Sequence, residues 1–323
     1  MQQPEITVVV VSYNVAPLLA VCLESVRRES ERLAAQGDRL HVVVVDNAST
    51  DGSVALVRCR FPEMELIVNP GNVGFGAACN QGAATAGEYV LFLNPDATLA
   101  PGALAALLGR VRSTPRAALV GPQIAYPDGR PQPTRRRFPT LGALLLESTP
   151  LEWRRPGWKA LQNYHMADCS ASGAGPVDWL SGACLLARTS DFDEVGGFSP
   201  DFFMYFEEVD LARRLAARGW QTWYEPGARV VHHLSRSADQ DPLAKDRHFY
   251  GSKYRFVARY WGSAVARAMG LAWATLFAAE LAVQCARRDA AQARRYRALL
   301  RWHVQWSFTG GPMGGPTGVP THT

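Results

Sequence analysis

Acidic side chains follow two apolar runs of this sequence and open a third segment with helical spacing. The runs are VVVVDNASTDGS at residues 42–53 and LFLNPDATL at residues 91–99, and the third segment is FFMYFEEVDLARRL at residues 202–215. An apolar run that stops at Asp, Asn or Gly is typical of a buried strand at the carboxyl edge of a parallel sheet, where ligands of open α/β sheets bind. Carboxylates brought there from distant parts of the chain indicate chemistry on a charged, phosphorylated substrate.

The first run ends in polar groups that can bind a ligand. Asp46 and Asn47 close the strand, and Ser49 and Asp51 follow. Asp46 can accept a hydrogen bond from a nucleobase N–H or a ribose hydroxyl, whereas Asp51 is typical of a helix cap, and capping remains the alternative for Asp46. The glycines of residues 71–76 lack the spacing of a dinucleotide fingerprint, so a nicotinamide cofactor is not expected.

The second run presents Asp96 directly after a proline. A carboxylate on such a stiff support suits Mg²⁺ or Mn²⁺, which take one or two protein carboxylates together with substrate phosphates. An ordinary turn or helix-cap aspartate is the alternative. His232, beside His233 at the end of a Val-Val strand, can complete a metal shell with Asp96, and a solvated pair of histidines is the alternative.

The third segment carries three acids at the start of a helix. Helical numbering puts Glu207 and Asp210 on one face and Glu208 on another. Ion pairing with the arginines that follow within two turns is the alternative role for these acids. The aromatic and sulfur side chains of residues 202–206 would desolvate a carboxylate at the helix start, which favours a base active near neutral pH.

Strand and helix patterns alternate through the first part of the chain. Strands are predicted at residues 6–12, 41–45, 65–68 and 88–93, and helices at residues 17–28, 53–60, 76–86 and 99–111. This alternation predicts an α/β fold with a mostly parallel sheet flanked by helices.

The pattern changes in the second part of the chain. Residues 112–176, broken by prolines, indicate loops with an inserted hairpin. A strand at 177–187, a helix at 206–219 and an extended segment at 221–232 follow, and beyond residue 245 the pattern is helical. The Gly/Pro/Thr-rich tail of residues 309–323 is predicted to be disordered.

Basic residues concentrate near the C-terminus. The net charge is +5, yet residues 245–301 contain twelve Lys and Arg against three acids, which leaves 22 basic and 26 acidic residues elsewhere. A basic segment with Trp and Tyr indicates an anionic partner, and a membrane surface is preferred over nucleic acid. Residues 268–286 carry one charge and are just long enough to span a bilayer, but the arginines around them favour a helix lying on the membrane surface. A core helix and a true span remain alternatives.

Two features of the chain indicate a cytoplasmic protein. The N-terminus lacks the basic region of a signal peptide. The six cysteines are scattered, with no paired spacing, which is typical of free thiols.

A series of segments resembles the family-2 inverting glycosyltransferases of the GT-A fold, most closely their bacterial rhamnosyltransferase branch. The resemblance covers roughly residues 5–260. The segments, in order, are VSYN (11–14), DNASTDGS (46–53), GNVGFGAACNQG (71–82), NPDATL (94–99), VDWLSGACLLAR (177–188), VGGFSPDFFMYFEEVDLARRLAARGW (195–220) and ARVVHH (228–233).

The resemblance implies a role for each matching position. The nucleotide-sugar pocket falls on residues near the strand ends: Ser12, Asn14, Asp46, Asn47, Asn72, Asn80, Asn94 and Asp96. The metal-binding Asp-x-Asp becomes Asn94-Pro95-Asp96, so the second acid alone is kept, and His232 matches a histidine that ligates metal in relatives. Glu208 occupies the slot of the catalytic base, which is usually Asp, with Glu207 and Asp210 as alternatives. Trp179, Ser181 and Gly182 match a loop on the acceptor side.

The function implied by the resemblance is transfer of a sugar with inversion. The expected donor is dTDP-rhamnose, used with Mg²⁺ or Mn²⁺, and the expected acceptor is a polyprenyl-diphosphate-linked saccharide at the inner face of the bacterial plasma membrane. Residues 1–244 are expected to form the transferase domain, with a nucleotide-sugar half at about 1–112 and an acceptor half at about 113–244. Residues 245–308 would form a basic, amphipathic membrane-associating extension.

Three alternatives to this function stay open. They are a transferase that uses another nucleotide sugar, carrying galactofuranose or N-acetylhexosamine on a thymine or uracil nucleotide, an inactive homologue that binds sugar nucleotides or glycans, and a nucleotidyltransferase. The last would need a glycine- and arginine-rich loop after the first strand, where Val11-Ser12-Tyr13-Asn14 stands instead.

Overall fold

The first part of the chain folds into the predicted strand–helix units. The computed structural model describes residues 6–35, 37–155, 157–170, 172–233 and 242–310. Its first elements are β1 (Ile6–Ser12), α1 (Ala16–Ala34), β2 (Leu40–Asp46), α2 (Ser53–Arg60), β3 (Glu65–Val68), α3 (Phe75–Ala83), β4 (Tyr89–Leu93), β5 (Ala97–Leu99) and α4 (Ala103–Ser113). The strands are β-branched and apolar, and every residue of β1 and β4 is buried. These boundaries follow the sequence prediction closely, except that residues 97–99 form a strand before α4.

The remaining elements complete the sheet and add helices. They are β6 (Ala117–Ala125), β7 (Arg135–Arg136), α5 (Leu141–Leu146), α6 (Pro150–Arg154), α7 (Lys159–Tyr164), β8 (Gly175–Val177), β9 (Trp179–Leu180), β10 (Cys184–Arg188), α8 (Thr189–Glu194), α9 (Glu207–Ala217), β11 (Gln221–His232), α10 (Pro242–Trp261), α11 (Ser263–Ala286) and α12 (Ala290–Thr309). The helical prediction for the C-terminal segment is confirmed as far as Thr309. Residues 311–323, for which disorder is predicted, lie outside the described residues.

The described strands form one nine-stranded sheet and a separate two-stranded pair, β7–β9. The order in the large sheet is β3-β2-β1-β4-β10-β6-β11-β5, with β8 paired to β11. From β3 to β4 all neighbours are parallel, whereas β10 is antiparallel to both β4 and β6. The predicted α/β class is confirmed, with the antiparallel strands in the second half of the sheet.

Helix α3 packs closely on the sheet because its residues are small. A Cβ atom added at Gly82 would lie 2.5 Å from Cγ1 of Val9 in β1. A larger residue would therefore push α3 away from the strand.

The strand β6 lies where the sequence predicts loops. It pairs in parallel with β11, and its antiparallel pairing with β10 is limited to Leu119 and Val120. Pro122 lies beyond that limited pairing, so its missing N–H removes no bond to β10. The predicted strand at 177–187 is divided into β8, β9 and β10.

The chain divides into two compact units. One unit contains residues 1–138, 169–199 and 207–237 and holds all the strands. The other contains residues 139–168, 200–206 and 238–323 and holds α5–α7 and α10–α12. This division differs from the expected boundary at residue 244, since two segments from the middle of the sequence group with the C-terminal helices.

By length and composition, helix α11 could cross a membrane. Its most apolar stretch of 18 residues has a mean hydropathy of 1.4, and a third of that stretch is buried. Core helices of soluble proteins pass the same test. One face of α11 is buried, and Glu280 on that face pairs with Arg154 of α6 (2.5 Å). The core, surface and spanning alternatives for this helix stay open.

Candidate active site

Two buried polar atoms lie at the carboxyl ends of β1 and β2. Ser12 and Asp46 are partners in the parallel register of these strands, and both are almost fully buried. Oδ1 of Asp46 accepts a hydrogen bond from the Ser49 amide (2.8 Å), whereas Asp46 Oδ2 and Ser12 Oγ have no partner among the described residues. An unsatisfied buried polar atom costs about 1–3 kcal/mol. The pair is therefore suited to receive hydrogen bonds from a ligand.

The loop after β2 is fixed to the loop after β1. Asn14 has a left-handed backbone (φ 53°), its Oδ1 accepts a hydrogen bond from the Thr50 amide (2.7 Å), and its own amide donates to Ser49 Oγ (3.0 Å). Asp51 accepts from the Ala16 amide (2.8 Å) and from Ser53 at the start of α2. Asp51 thus caps helix starts, as the sequence indicates, and Asn14 shapes the loop beside Asp46.

A network of amide side chains holds the loop between β3 and α3. Asn47 Nδ2 donates to Gly74 O (3.2 Å), and Asn47 Oδ1 accepts from Asn69 Nδ2 (2.9 Å). Asn69 also donates to Gln81 (2.9 Å), and Asn72 Oδ1 accepts from the Gly74 amide (3.0 Å). The side-chain nitrogen and oxygen of Asn47 both form hydrogen bonds within the protein, so its geometry favours a role in shaping the pocket.

The side-chain amide of Asn80 forms two hydrogen bonds with the backbone of Phe198. Its Nδ2 donates to Phe198 O (2.8 Å), and its Oδ1 accepts from Phe198 N (2.9 Å). The nearby Gly197 has φ 67°, and a Cβ there would lie 2.7 Å from Asn80 Oδ1. This geometry supports a role for Asn80 in holding the 196–198 loop.

Asp96 and His232 meet at the end of the sheet. Asp96 lies in the turn between β4 and β5, and His232 at the end of β11 pairs with the first residue of β5. Oδ1 of Asp96 is 3.2 Å from Nε2 of His232, and Asn94 Nδ2 is 3.4 Å from the same nitrogen. Asp96 and His232 are both buried. The structure therefore brings together the residues that the sequence predicts for a metal site.

Gln132 sets the orientation of the His232 ring. Its Nε2 donates to His232 O (2.7 Å), so its Oε1, 3.2 Å from His232 Nδ1, must accept the Nδ1–H. In the neutral tautomer that carries this Nδ1–H, the lone pair of Nε2 would face the carboxylate of Asp96, and a cation bound by both groups would stabilise that arrangement. One carboxylate and one imidazole fit Mn²⁺ or Mg²⁺ when diphosphate oxygens supply further ligands. Within the described part of the chain, no group of three or more His, Cys, Asp or Glu is arranged so that it could hold a metal ion by itself.

The three carboxylates at the start of α9 have different surroundings. Glu207 is buried, and the pKa of its carboxyl is raised well above the ordinary value by burial and by the charge of Glu208. Glu208 is half-buried and lies against Gly182, where an added Cβ would be 3.6 Å from the Glu208 Cβ. Asp210 is fully buried and pairs with Arg214 (2.7 Å), which also donates to two carbonyls of the 195–197 loop.

The loop after β9 connects the base candidate with the metal candidate. Trp179 Nε1 donates to Arg137 O (3.0 Å), and the Ser181 amide donates to Thr134 O (3.1 Å), so β7 holds this loop. A Cβ added at Gly182 would lie 3.6 Å from Glu208 Cβ, and the next residue, Ala183, accepts a hydrogen bond from the Asn94 amide (2.9 Å). Two consecutive residues thus reach the base candidate on α9 and the turn that carries Asp96.

Some residues of the site were not found by sequence reasoning. Gln132 lies in the proline-broken region, where no pattern distinguishes it, and its role follows from its two bonds to His232 alone. Asn69 follows directly after β3, so its position at a strand end was a usable signal. The run at residues 202–206 was expected to desolvate the base candidate. In the structure Glu207 and Asp210 are buried, while Glu208 is half-buried, with its Oε2 atom out of contact with solvent.

Proteins of known type are similar to this chain over most of its length. An N-acetylglucosaminyl-diphospho-decaprenol L-rhamnosyltransferase of Mycobacterium tuberculosis is 36% identical over 265 residues, which cover 78% of this chain and 83% of that protein. The rhamnosyltransferase WbbL of Escherichia coli is 25% identical over 72% of this chain and 88% of its own length.

Two solved structures share the fold. GalNAc-T7 with UDP, GalNAc and Mn²⁺ matches with a TM-score of 0.58 at 15% identity, over 80% of this chain and 49% of that chain. The mannosyltransferase PcManGT of Pyrobaculum calidifontis, with GDP-mannose and Mn²⁺, matches with a TM-score of 0.51 at 18% identity, over 96% of this chain and 88% of that chain. The GT-A fold is thereby confirmed. The family model for glycosyl transferase family 2 matches residues 7–210, which is more than half of the chain, and with the sequence relatives it shows that the protein is a glycosyltransferase of that family, in its rhamnosyltransferase branch.

Proposed function

We propose that this glycosyltransferase moves L-rhamnose from dTDP-rhamnose, with inversion, to a polyprenyl-diphosphate-linked saccharide in bacterial cell-surface polysaccharide synthesis. The names of two relatives support the sugar, and the name of the more similar one supports an acceptor that carries N-acetylglucosamine on a lipid diphosphate. Nucleic acid is not part of the proposal.

One structural observation carries the proposal. Gly182 lies beside Glu208, since a Cβ added at Gly182 would be 3.6 Å from Glu208 Cβ, and Ala183 O accepts a hydrogen bond from the amide of Asn94, two residues before Asp96. A base and a diphosphate site must lie on either side of the anomeric carbon for a direct displacement. The short loop of residues 181–183 is common to both, which supports a single pocket for donor and acceptor.

The residues of this pocket have distinct proposed tasks. Ser12 and Asp46 bind the nucleoside, because their orphaned buried atoms need ligand partners. Glu208 removes the proton of the acceptor hydroxyl as the oxygen attacks the anomeric carbon, and the bond from that carbon to the diphosphate oxygen breaks. The raised pKa of Glu207 favours its protonated form, which leaves the role of base to Glu208. Asp210 is engaged with Arg214 and is assigned a structural role.

Asp96 and His232 are proposed to hold Mg²⁺ or Mn²⁺. When bound, such an ion offsets the charge that develops on the leaving nucleoside diphosphate. The Asn94 position offers an amide in place of the usual first acid, and this amide lies within 3.4 Å of His232. Asn94 therefore orients the imidazole beside Asp96 in this proposal.

The unit of C-terminal helices is proposed to attach the enzyme to the cytoplasmic face of the plasma membrane. A lipid-linked acceptor must be reached at a membrane surface, and the basic residues of this unit suit an anionic one. Exposed apolar side chains on α11 and α12, among them Leu271 (46% exposed) and Phe308 (73% exposed), support this attachment.

Transfer assays test the proposed reaction. Purified full-length protein is incubated with N-acetylglucosaminyl-diphospho-polyprenol, Mn²⁺ and one of dTDP-L-rhamnose, UDP-galactofuranose or UDP-N-acetylglucosamine. Mass spectrometry of the lipid should show addition of a deoxyhexose with the first donor, and NMR of the new linkage should show inverted anomeric configuration. Transfer of another sugar would correct the donor, and no transfer with any donor, despite donor binding, would identify an inactive homologue.

A further inference from the structure

Polar contacts from α10 hold the segment that precedes α9. Asp201 forms an ion pair with Arg259, whose guanidinium also lies 5.1 Å from the ring centre of Phe202. The backbone oxygen of Met204 accepts a hydrogen bond from Ser252 Oγ (2.7 Å). Ser252 is 1% exposed, so water cannot readily replace this bond.

Aromatic contacts hold the other residues of the same segment. Phe203 stacks on His248 with ring centres 4.7 Å apart. Tyr205 and Phe206 both pack on Phe249, at 5.6 and 5.8 Å. Each residue of the 201–206 segment therefore contacts α10, within the same compact unit.

The backbone of this segment is strained at its end. Tyr205 has φ 69° and Phe206 has φ 68°, in the left-handed region that bulky side chains rarely adopt. Two such residues in sequence persist only where the surroundings hold them. The contacts with α10 are such surroundings.

The strained residues directly precede the base candidate. Phe206 is followed by Glu207 and Glu208, the first two residues of α9, and the chain passes between the two compact units at this point. The family match ends at residue 210, so α10 lies outside it. The direction in which α9 starts depends on the backbone angles of the residue before it.

We propose that α10 is a positioning element for catalysis: its contacts with the 201–206 segment impose the left-handed backbone at Tyr205 and Phe206, and this backbone sets the direction in which the chain enters α9, whose second residue is Glu208. Ser252 and Phe249 act as positioning residues, through the backbone that leads to Glu208. The inference rests on the proposed role of Glu208 as the base. It gives the C-terminal helices a task in the reaction that is separate from membrane attachment.

The test is the Ser252→Ala variant of the full-length protein. Loss of the bond to Met204 O should lower kcat about tenfold, because a small displacement of a catalytic group is costly. The KM for the nucleotide sugar and its Mn²⁺-dependent binding by calorimetry should be unchanged, since the donor residues are untouched. Ser252→Thr keeps the hydroxyl and should restore kcat.

Ser307→Ala is the matched control. Ser307 is also buried; its side chain bonds His303 O (2.8 Å) within α12 and the Tyr254 hydroxyl of α10, but not the 201–206 segment, so it controls for loss of a buried hydroxyl that α10 also contacts. Its kcat should equal that of the wild type. Wild-type kcat in Ser252→Ala, or an equal fall in both serine variants, would overturn the proposal.

Hydrogen exchange provides a readout that needs no activity. Amides at the start of α9 should exchange faster in Ser252→Ala than in the wild type or in Ser307→Ala, because the restraint before the helix is weakened. Unchanged exchange would reject the positioning role even if no sugar donor supports turnover. Arg259→Gln, at a partly exposed side chain, gives the second variant if Ser252→Ala does not fold; it too should speed this exchange.

Discussion

Glu207, Glu208 and Asp210 stand within one turn of α9, and their surroundings assign them different tasks. The N-terminus of a helix favours negative charge, but burial of Glu207 acts against it and favours its neutral form. Asp210 is neutralised by Arg214. Glu208 remains as the residue that is only half-buried, and it lies beside Gly182 of the acceptor-side loop, where an added Cβ would be 3.6 Å from Glu208 Cβ.

Replacement of Glu208 by Gln should abolish transfer without loss of donor binding. Removal of a general base lowers kcat by about 10²–10⁴, whereas the nucleoside contacts at Ser12 and Asp46 stay intact. The measurements are kcat with saturating acceptor and donor affinity by calorimetry with Mn²⁺. Turnover at the wild-type rate would remove Glu208 from the role of base.

Glu207→Gln serves as the control for this variant, and its stability has a pH dependence of known sign. The pKa of Glu207 is raised in the folded protein, so its contribution to stability is complete below the unfolded value of about 4.3 and is lost as pH rises toward the folded value. Glu207→Gln should keep substantial activity, and its thermal stability should fall less than that of the wild type as the pH is raised above about 4.3. An inactive Glu207→Gln with an active Glu208→Gln would exchange the two roles.

Gln132 should control metal affinity through His232. Gln132→Leu removes the acceptor of the Nδ1–H, so the ring can rotate or change tautomer, and loss of such an outer partner costs about 10–100-fold in metal affinity. Mn²⁺ binding by electron paramagnetic resonance measures this in the absence of sugar. Gln284→Leu is the control, because Gln284 is equally buried (9% exposed) but bonds Glu280 of α11. Equal Mn²⁺ affinity in both variants would contradict the role of Gln132.

At the scale of elements, the sequence predicts the strand–helix units well because each combines an apolar strand with a turn of Asp, Asn or Gly. The prediction was less good for β6, where proline suggested a loop. Pro122 is tolerated because β10 pairs with β6 only before it. That arrangement depends on the order of strands that are distant in the sequence, and the residue pattern around Pro122 carries no information on that order.

The residues of the site divide in the same way: local sequence identifies some of them, and only contacts between distant parts of the chain identify the others. Asp46 ends a strand, Asp96 lies in the turn after a strand and Glu208 stands at the start of a helix, and their types alone indicate their chemistry. Asn80 and Gln132 act through bonds to residues more than 90 positions away. A single amide side chain has no spacing signal, so such partners become visible only in the folded protein.

At the scale of the whole molecule, positive charge gathers on the C-terminal helices, and α12 presents an exposed stripe. Its residues recur at spacings of three and four, so they share one helix face. This α12 stripe consists of Arg294, Arg297, Arg301, Val304 and Phe308, all of them exposed. Three cations followed by two apolar side chains suit a helix that lies in the headgroup region of an anionic bilayer.

Neutralising the three arginines of the α12 stripe with Gln should release the protein from anionic vesicles. Each arginine near such a surface contributes about 1 kcal/mol, so their loss should weaken partitioning roughly a hundredfold. Co-sedimentation with phosphatidylglycerol vesicles measures this, and added salt should weaken the wild type in the same direction because it screens surface charge. The control carries the same loss of charge on the sheet-bearing unit, at the exposed residues Arg28, Arg58 and Arg60. Since that control keeps the α12 stripe, it should sediment with the vesicles like the wild type. Equal release of both triple variants would show that net charge alone drives binding. Retention of the stripe variant on the vesicles would show that α12 does not contact the membrane.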